Sequence, residues 1–421
     1  QRVPTPSYAS DPARSPLRET LCQQGSRNAT ANGGSSPVTG ASSFSIRSLE
    51  APVTTQIPAT SLTSTFEVRP SSHPRTVTER AEILADLKFG TAFSDHMARV
   101  TWTAEDGWTD RRVVAYGPLQ LDPAAAVLHY GQEAFEGLKA YVHPDGSVWS
   151  FRPEANARRF AQSARRLALP ELSEEDFLES IRALVHTDVE WVPNAPGASL
   201  YLRPFMFASE AFLGVRAARA VDYLVIASPV GPYFARGLKP VHIWVSEDYK
   251  RAAPGGTGAA KVGGNYAASL LPQAEAGSRG FDQILFTDAT GTFLEELGGM
   301  NVVVVGKDGT ASTPRLNGSI LEGVTRSSIL TLLAERGLDV QERDIPLAEV
   351  VEGVRSGAVA EVFACGTAAV VTPIGRLAGA EFDLQVGDGE AGAVTKEVHA
   401  TLTGIQYGTL PDPHGWMTRL V

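Results

Sequence analysis

Apolar and polar positions alternate with a period of two on both sides of a turn in RVTWTAEDGWTDRRVVAYGPL, residues 99–119, which predicts a hairpin closed at Asp106-Gly107. The period then changes. EANARRFAQSARRLALP (154–170) and LSEEDFLESIRALVHTDVEWV (172–192) carry apolar residues at helical spacing, and the second opens on Ser173 and Asp176 in the pattern of a capping box. SLYLRPFMF (199–207) and VDYLVIASPVG (221–231) return to strand patterning, until two prolines and two glycines in PVGPYFARGLKP break it. That break predicts a domain boundary near residue 235.

Beyond it the pattern predicts strands at VHIWVSE, DQILFTD, TFLEELGG and MNVVVVG, a helix from Val324 to Arg336, a short helix near 347–356, and strands at AEVFACG and AAVVTPIG. Strands outnumber helices and do not strictly alternate with them. An α+β fold of two domains, 66–235 and 236–421, is expected, not a doubly wound nucleotide fold. Residues 1–65 carry no such pattern: they are dense in Ser, Thr, Pro, Ala and Gly, hold no lysine, and have five Arg against Asp11, Glu19 and Glu50. They are expected to be a disordered tail, with an organelle transit peptide as the alternative reading.

Composition narrows the function. The chain has 421 residues, 43% of them apolar, enough for two cores. Its net charge is −10 and no basic block tracks a phosphate backbone, so nucleic acid and anionic membrane are excluded as expected partners. No apolar run reaches the length of a membrane span. Cys22 and Cys365 lie in unlike surroundings, and the eight histidines form no ligand spacing. A soluble, cytoplasmic protein without metal is expected.

The segment PGGTGAAKVGGNY, Pro254 to Tyr266, sets a lysine between two glycine clusters. A P-loop requires G-x-x-x-x-G-K-[ST], and here Ala260 and Val262 stand at the second glycine and the hydroxyl position. Lysines are scarce, seven against thirty arginines, and no acid lies between Pro254 and Tyr266 to pair with Lys261. At its ordinary pKa of about 10.4 a lysine is almost wholly protonated at pH 7, so a nucleophilic amine needs a desolvated setting. Lys261 is therefore a candidate Schiff-base former; a lysine snorkelling at the surface is the alternative.

GTGAAKVGGNYAASL resembles the pyridoxal-phosphate lysine segment of branched-chain amino acid aminotransferases, enzymes of fold type IV, with bacterial members the most similar. The resemblance continues in order through FGTAFSDHM, LHYGQEAFEGLKAY, FRPEANARRF, YLRPF, PVGPYF, EELGGMN, GVTRSSIL and VFACGTAAVVTP, nearly everything after residue 65. It implies a two-domain fold-type IV architecture like that of D-amino acid aminotransferases, and pyridoxal 5'-phosphate as cofactor. The reaction implied is amino transfer between leucine, isoleucine or valine and 2-oxoglutarate. Lys261 would carry the cofactor and move the substrate's α-proton, Glu296 would meet the pyridine nitrogen with Glu295 its solvated neighbour, and Tyr266 would bond the phenolic oxygen.

The phosphate would be held by Arg159, with Arg158 in solvent, and by the amides of Val324 and Thr325 at a helix start. The turn Gly366-Thr367-Ala368 would offer N–H groups to the substrate carboxylate. Phe89, Phe135, Tyr201 and Tyr233 would form the side-chain pocket, with Tyr130 arriving from a second subunit of a homodimer. Arg203 in YLRPF would meet glutamate's distal carboxylate, or else tie a strand end to an acid, since Pro204 marks an edge or terminus. Mammalian members have a redox C-x-x-C where this chain has Ala369 and Thr372, so thiol regulation of that type is not expected. Two rival readings remain: a fold-type IV relative with another substrate, such as a D-amino acid aminotransferase or aminodeoxychorismate lyase, and a non-catalytic nucleotide-binding protein using the 255–264 loop.

Overall fold

Two nine-stranded sheets organise the chain in the computed structural model, which describes residues 65–232 and 238–421. The tail expected over 1–65 falls almost wholly outside these residues, as do the boundary near 235 and Tyr233. The mixture of helix and sheet is the expected α+β fold.

The first sheet is antiparallel except at its Glu67–Val68 edge and contains the predicted hairpin, His96–Thr103 paired with Gly107–Ala115. Its central strand, Ser199–Ala208, lies between Ala220–Val230 on one side and the successive strands Leu138–Val142 and Glu133–Phe135 on the other. Alternation along that strand divides its residues. Leu200, Leu202 and Met206 are fully buried with Phe160, Phe177 and Ile181 of helices Pro153–Arg166 and Glu174–Thr187, while Tyr201, Arg203 and Phe205 point the other way.

Pro204 corrects the expectation of an edge or strand end, because it lies inside this central strand. Its carbonyl accepts from the Glu136 N–H at 2.7 Å, where one neighbouring strand hands over to the next. A strand residue's N–H and C=O point to the same side, so the missing proline N–H faces that handover and costs no ladder bond. Ser173 caps its helix as expected by accepting from Asp176 N at 3.0 Å, but the box is half formed: the Asp176 carboxylate is taken by Arg111 at 2.6 and 2.9 Å.

The second sheet is mixed, and its strand Asn301–Gly306 is buried on both faces. Val303 and Val305 pack toward helix Val324–Glu335, and Val302 and Val304 toward helix Leu347–Ser356. The hydropathy pattern missed helices Gly263–Ser278 and Ala393–Gln406. The first starts on two glycines and contains Pro272, both poor helix formers, so its position depends on tertiary bonds. The C-terminal strand Met417–Arg419 returns to pair with Val148–Phe151 of the first sheet.

Candidate active site

Lys261 is fixed by its own backbone before its side chain is considered. Its N–H donates to Ser163 Oγ at 2.9 Å, and its carbonyl accepts from Phe135 N–H at 3.0 Å. Asn265, buried in GGNY, closes the preceding loop by donating to the Thr257 and Ala260 carbonyls at 2.8 and 2.9 Å. Gly263 N–H is held by Glu133. Further amides of the loop are engaged: Gly256 bonds Ala253, Ala259 bonds Gly318, and Ala260 bonds Thr257. With the amides of Lys261 and Gly263 also engaged, no three successive N–H groups of 255–264 are left to form a phosphate nest, which counts against the nucleotide reading.

The Lys261 side chain enters a cavity of about 230 Å³. There Nζ donates to the Tyr266 hydroxyl at 2.6 Å and lies 4.9 Å from the centre of the Phe135 ring. The absence of acids near Lys261 in sequence does not carry into space, because the lysine's charge acts on both Glu136 and Glu296. A larger cavity of about 720 Å³ shares Ala368 with it but holds neither Lys261 nor Glu296. The chemistry is in the smaller one.

At one end of this cavity begins helix Val324–Glu335, capped by Gly323. The N–H groups of Val324 and Thr325 belong to its first turn, so they have no acceptor within the helix and present the positive end of its dipole. Arg159 joins them from Pro153–Arg166. Its Nε and Nη2 reach the two oxygens of Glu136, each at 2.8 Å, and Nη1 donates to the Glu322 carbonyl at 2.8 Å. Glu136 is fully buried and also accepts from Asn156 Nδ2 at 2.8 Å. Burial pushes its pKa up, yet the charge and hydrogen bonds of Arg159, then Lys261, hold it below the ordinary glutamate value. Arg158 points into solvent toward Glu174. This end suits a phosphate-like anion.

At the other end Glu296, 2% exposed, accepts at Oε1 from Leu321 N–H at 2.8 Å, with Arg251 Nη1 in ion-pair contact at the same oxygen, also at 2.8 Å, and accepts at Oε2 from Asn301 Nδ2 at 3.3 Å. Burial drives its pKa up to about 7 against the opposing pull of Arg251, the Leu321 N–H and Lys261. Such a carboxylate suits a buried ring cation. Glu295 was expected in solvent and is instead 3% exposed, because both faces of the short strand Leu294–Leu297 are covered; it accepts from Asn317 at 3.3 Å.

Gly366, Thr367 and Ala368 line the wall in the turn between strands Val359–Gly366 and Val370–Ala378. Val370 ends that turn at φ 59°, a left-handed conformation costing a β-branched residue on the order of 1–3 kcal/mol. Lys139 donates to the Ala368 carbonyl at 2.8 Å, and burial lowers its pKa to about 8.

Phe89 and Tyr201 meet edge to face, their centroids 5.0 Å apart. Arg203 stands over Phe135 and Tyr201, donates to the Tyr201 hydroxyl at 3.1 Å, and keeps its buried Nε unpartnered. It forms no ion pair among the described residues; its charge acts on Glu133 of the adjoining strand, to which it is not bonded. Tyr130 ends helix Ala126–Tyr130, exposed and bonded to the Leu213 carbonyl, outside this cavity. The structure therefore gathers every described candidate except Tyr130. Sequence reading missed Glu136, Asn156, Asn265 and Arg251; the one local signal was an acid set in the apolar run AFEGLKAY.

The Amino-transferase class IV family matches residues 133–377. The chain is 52% identical over 360 residues to the branched-chain-amino-acid aminotransferase of Mycolicibacterium smegmatis, covering 84% of this chain and 98% of that one. Among solved structures it is similar to the branched-chain amino acid aminotransferase from Escherichia coli, with a TM-score of 0.62 and 30% identity over 77% of this chain and 99% of that one. The T.th. branched-chain amino acid aminotransferase complexed with N-(5'-phosphopyridoxyl)-L-glutamate matches with a TM-score of 0.63 and 27% identity, covering 77% of this chain and 99% of that one.

Proposed function

We infer the function from one premise: the chain belongs to the class IV aminotransferases and, within them, to the branched-chain-amino-acid aminotransferases. It transfers the amino group between leucine, isoleucine or valine and 2-oxoglutarate, with pyridoxal 5'-phosphate as cofactor. The bound cofactor supplies a carbonyl carbon that takes up the amino group and a ring that accepts the electron pair released at the substrate's α-carbon. The residues fit it. One cavity offers an anion seat, a primary amine and a carboxylate, with an orphaned donor on Arg203 left for substrate.

Lys261 holds the cofactor and then moves the α-proton, with its Nζ directed by the Tyr266 hydroxyl. Glu296 holds a proton on the ring nitrogen. Arg159 and the Val324 and Thr325 amides seat the phosphate, and Thr367 and Ala368 present N–H groups to the α-carboxylate. Phe89, Phe135 and Tyr201 exclude water around an aliphatic chain, and Arg203 receives the distal carboxylate of glutamate. The glutamate adduct in the T.th. relative supports a site that admits glutamate.

Tyr233 belongs to this proposal as a further wall. A homodimer completes the site: Tyr130 serves the partner's cavity, and the exposed Leu128, Leu213 and Val215 suit an interface beside it. Each sheet is the core of one of two domains, 66–235 and 236–421, with the terminal strand crossing back. We place the enzyme in the cytoplasm; among the described residues no helix is long and apolar enough to cross a membrane.

The observation that carries the residue roles is Lys261 Nζ at 2.6 Å from Tyr266 in a cavity that Glu296 closes. Borohydride reduction of the loaded enzyme followed by peptide mapping tests it. The label is expected on Lys261, and Lys261→Ala should abolish turnover of leucine with 2-oxoglutarate. Label on Lys139 would overturn the assignment.

A further inference from the structure

We propose that Arg251 is a positioning residue of the site, its guanidinium tying the Glu296 carboxylate, the lysine loop and the loop before the phosphate helix into one geometry. The inference rests on the reading of Glu296 as the partner of the ring nitrogen. Arg251 lies ten residues before Lys261, and its side chain is 1% exposed. From that point Nη1 meets Glu296 Oε1 at 2.8 Å, the Ser319 carbonyl at 3.1 Å and the Gly258 carbonyl at 3.4 Å.

These three partners belong to the three working parts of the cavity. Gly258 precedes Lys261 by three residues. Ser319 precedes by two the Leu321 whose N–H bonds the same Glu296 oxygen, and by four the Gly323 cap. The two loops are in contact there, since a Cβ on Gly258 would come within 2.2 Å of the Ser319 carbonyl oxygen.

Geometry then decides which Glu296 oxygen is free. Arg251 and Leu321 both occupy Oε1, leaving Oε2 with a single long contact from Asn301 at 3.3 Å. Without Arg251 the carboxylate loses what anchors its rotation, and the open oxygen is no longer aimed. All three contacts come from one nitrogen, Nη1, whose direction the planar guanidinium fixes, whereas an ammonium is a point charge on a flexible stem.

The test uses the full chain loaded with pyridoxal phosphate, with Arg251→Met and Arg251→Lys, each alone and with Glu296→Gln. Arg251→Met should slow α-proton removal from leucine, followed by single-turnover absorbance, about tenfold or more, while KM moves less than about threefold. The cofactor should leave about tenfold faster on dilution, a readout independent of turnover. Arg251→Lys, which keeps the charge, should recover part of the rate but not the cofactor's residence time. In the Glu296→Gln background, Arg251→Met should add less than about twofold to the slowing.

Equal slowing in both backgrounds overturns the proposal, since Arg251 would then act without Glu296. So does an Arg251→Lys enzyme with wild-type cofactor residence, which also decides the matter if the Met variant does not fold. If Glu296→Gln alone leaves proton removal unchanged, the reading of Glu296 falls with it; if it slows and the Arg251 variants do not, Arg251 alone is refuted.

Discussion

Two buried arginine–glutamate pairs bracket the cavity, and they are inverted in role. At the phosphate end Arg159 is the working group and Glu136 holds it; at the ring end Glu296 works and Arg251 holds it. The geometry follows the roles. Glu136 meets Arg159 through both oxygens at 2.8 Å and takes a third bond from Asn156, so its demand for donors is met and it stays well ionised. Glu296 has one guanidinium contact and one amide at the same oxygen, and burial lifts its pKa to about 7. A completed ion pair supports a cation whose free N–H groups face outward, whereas an incomplete pair leaves an anion open to a further cation.

The largest effect should come from breaking the completed pair. Glu136→Ala leaves Arg159 buried and uncompensated, which costs about 3–5 kcal/mol. The cofactor-free protein should show that loss in its denaturant midpoint, and phosphate-dependent cofactor affinity should fall with it. A loss under about 1 kcal/mol would mean that water or another acid replaces Glu136, and the contrast between the two ends would be lost.

Glu296→Gln should behave in the opposite way, harming the reaction more than the fold. Proton removal should slow on the order of a hundredfold, because an amide cannot hold a proton on the ring nitrogen as a carboxylate does. Stability should change with pH. Glu296's folded pKa of about 7 lies above the unfolded value, so its contribution is fully present below the unfolded pKa and is lost as pH rises through about 7. In the cofactor-free protein the wild type should therefore lose Tm relative to the Gln variant between about pH 4.5 and 7. Parallel curves over that window would remove the claimed incompleteness of the pair.

Arg203 sharpens the contrast as a third arginine with no glutamate bonded to it. If its open donors are kept for substrate, Arg203→Gln should lower kcat/KM for glutamate and 2-oxoglutarate ten- to a hundredfold, from a charge-assisted bond of roughly 1.5–3 kcal/mol. Leucine and its oxo acid should change little. A proportional loss for both substrates in a folded enzyme would make Arg203 structural.

The difference between the pairs also explains what was legible in sequence. The fold class and most elements followed from periodicity, since valines at 302–305 and alternation at 199–207 state their environment locally. Lys261 stood out by its setting between glycines with no acid nearby in sequence, and Glu296 and Arg159 were reached through motif resemblance. Their holders were not, because Glu136 and Arg159 lie 23 residues apart, and Arg251 and Glu296 are separated by a helix and a strand. Only the folded sheets bring them together. Glu295 failed for a related reason: alternation places neighbours on opposite faces, but in this sheet both faces are covered.

The smallest effect should come from Glu295, and it is the control for the whole comparison. Glu295 and Glu296 are adjacent, almost equally buried and alike in charge, so any explanation of Glu296 by burial alone predicts the same of Glu295. Their partners differ. Glu295 accepts from the Asn317 amide, and burial raises its pKa against the pull of that amide and of the Arg251 charge, with no guanidinium bonded to it. An asparagine amide can bond a glutamine oxygen as well as a carboxylate oxygen, so Glu295→Gln substitutes a near-isostere without breaking a bonded ion pair. The change in stability should stay within about 1 kcal/mol, and proton removal from leucine should stay within about twofold of wild type. The measurement pairs Glu295→Gln with Glu296→Gln in the same single-turnover absorbance assay. If the two slow the step equally, the anion at the ring end is shared between the two carboxylates, and the single pair Arg251–Glu296 is the wrong unit of description.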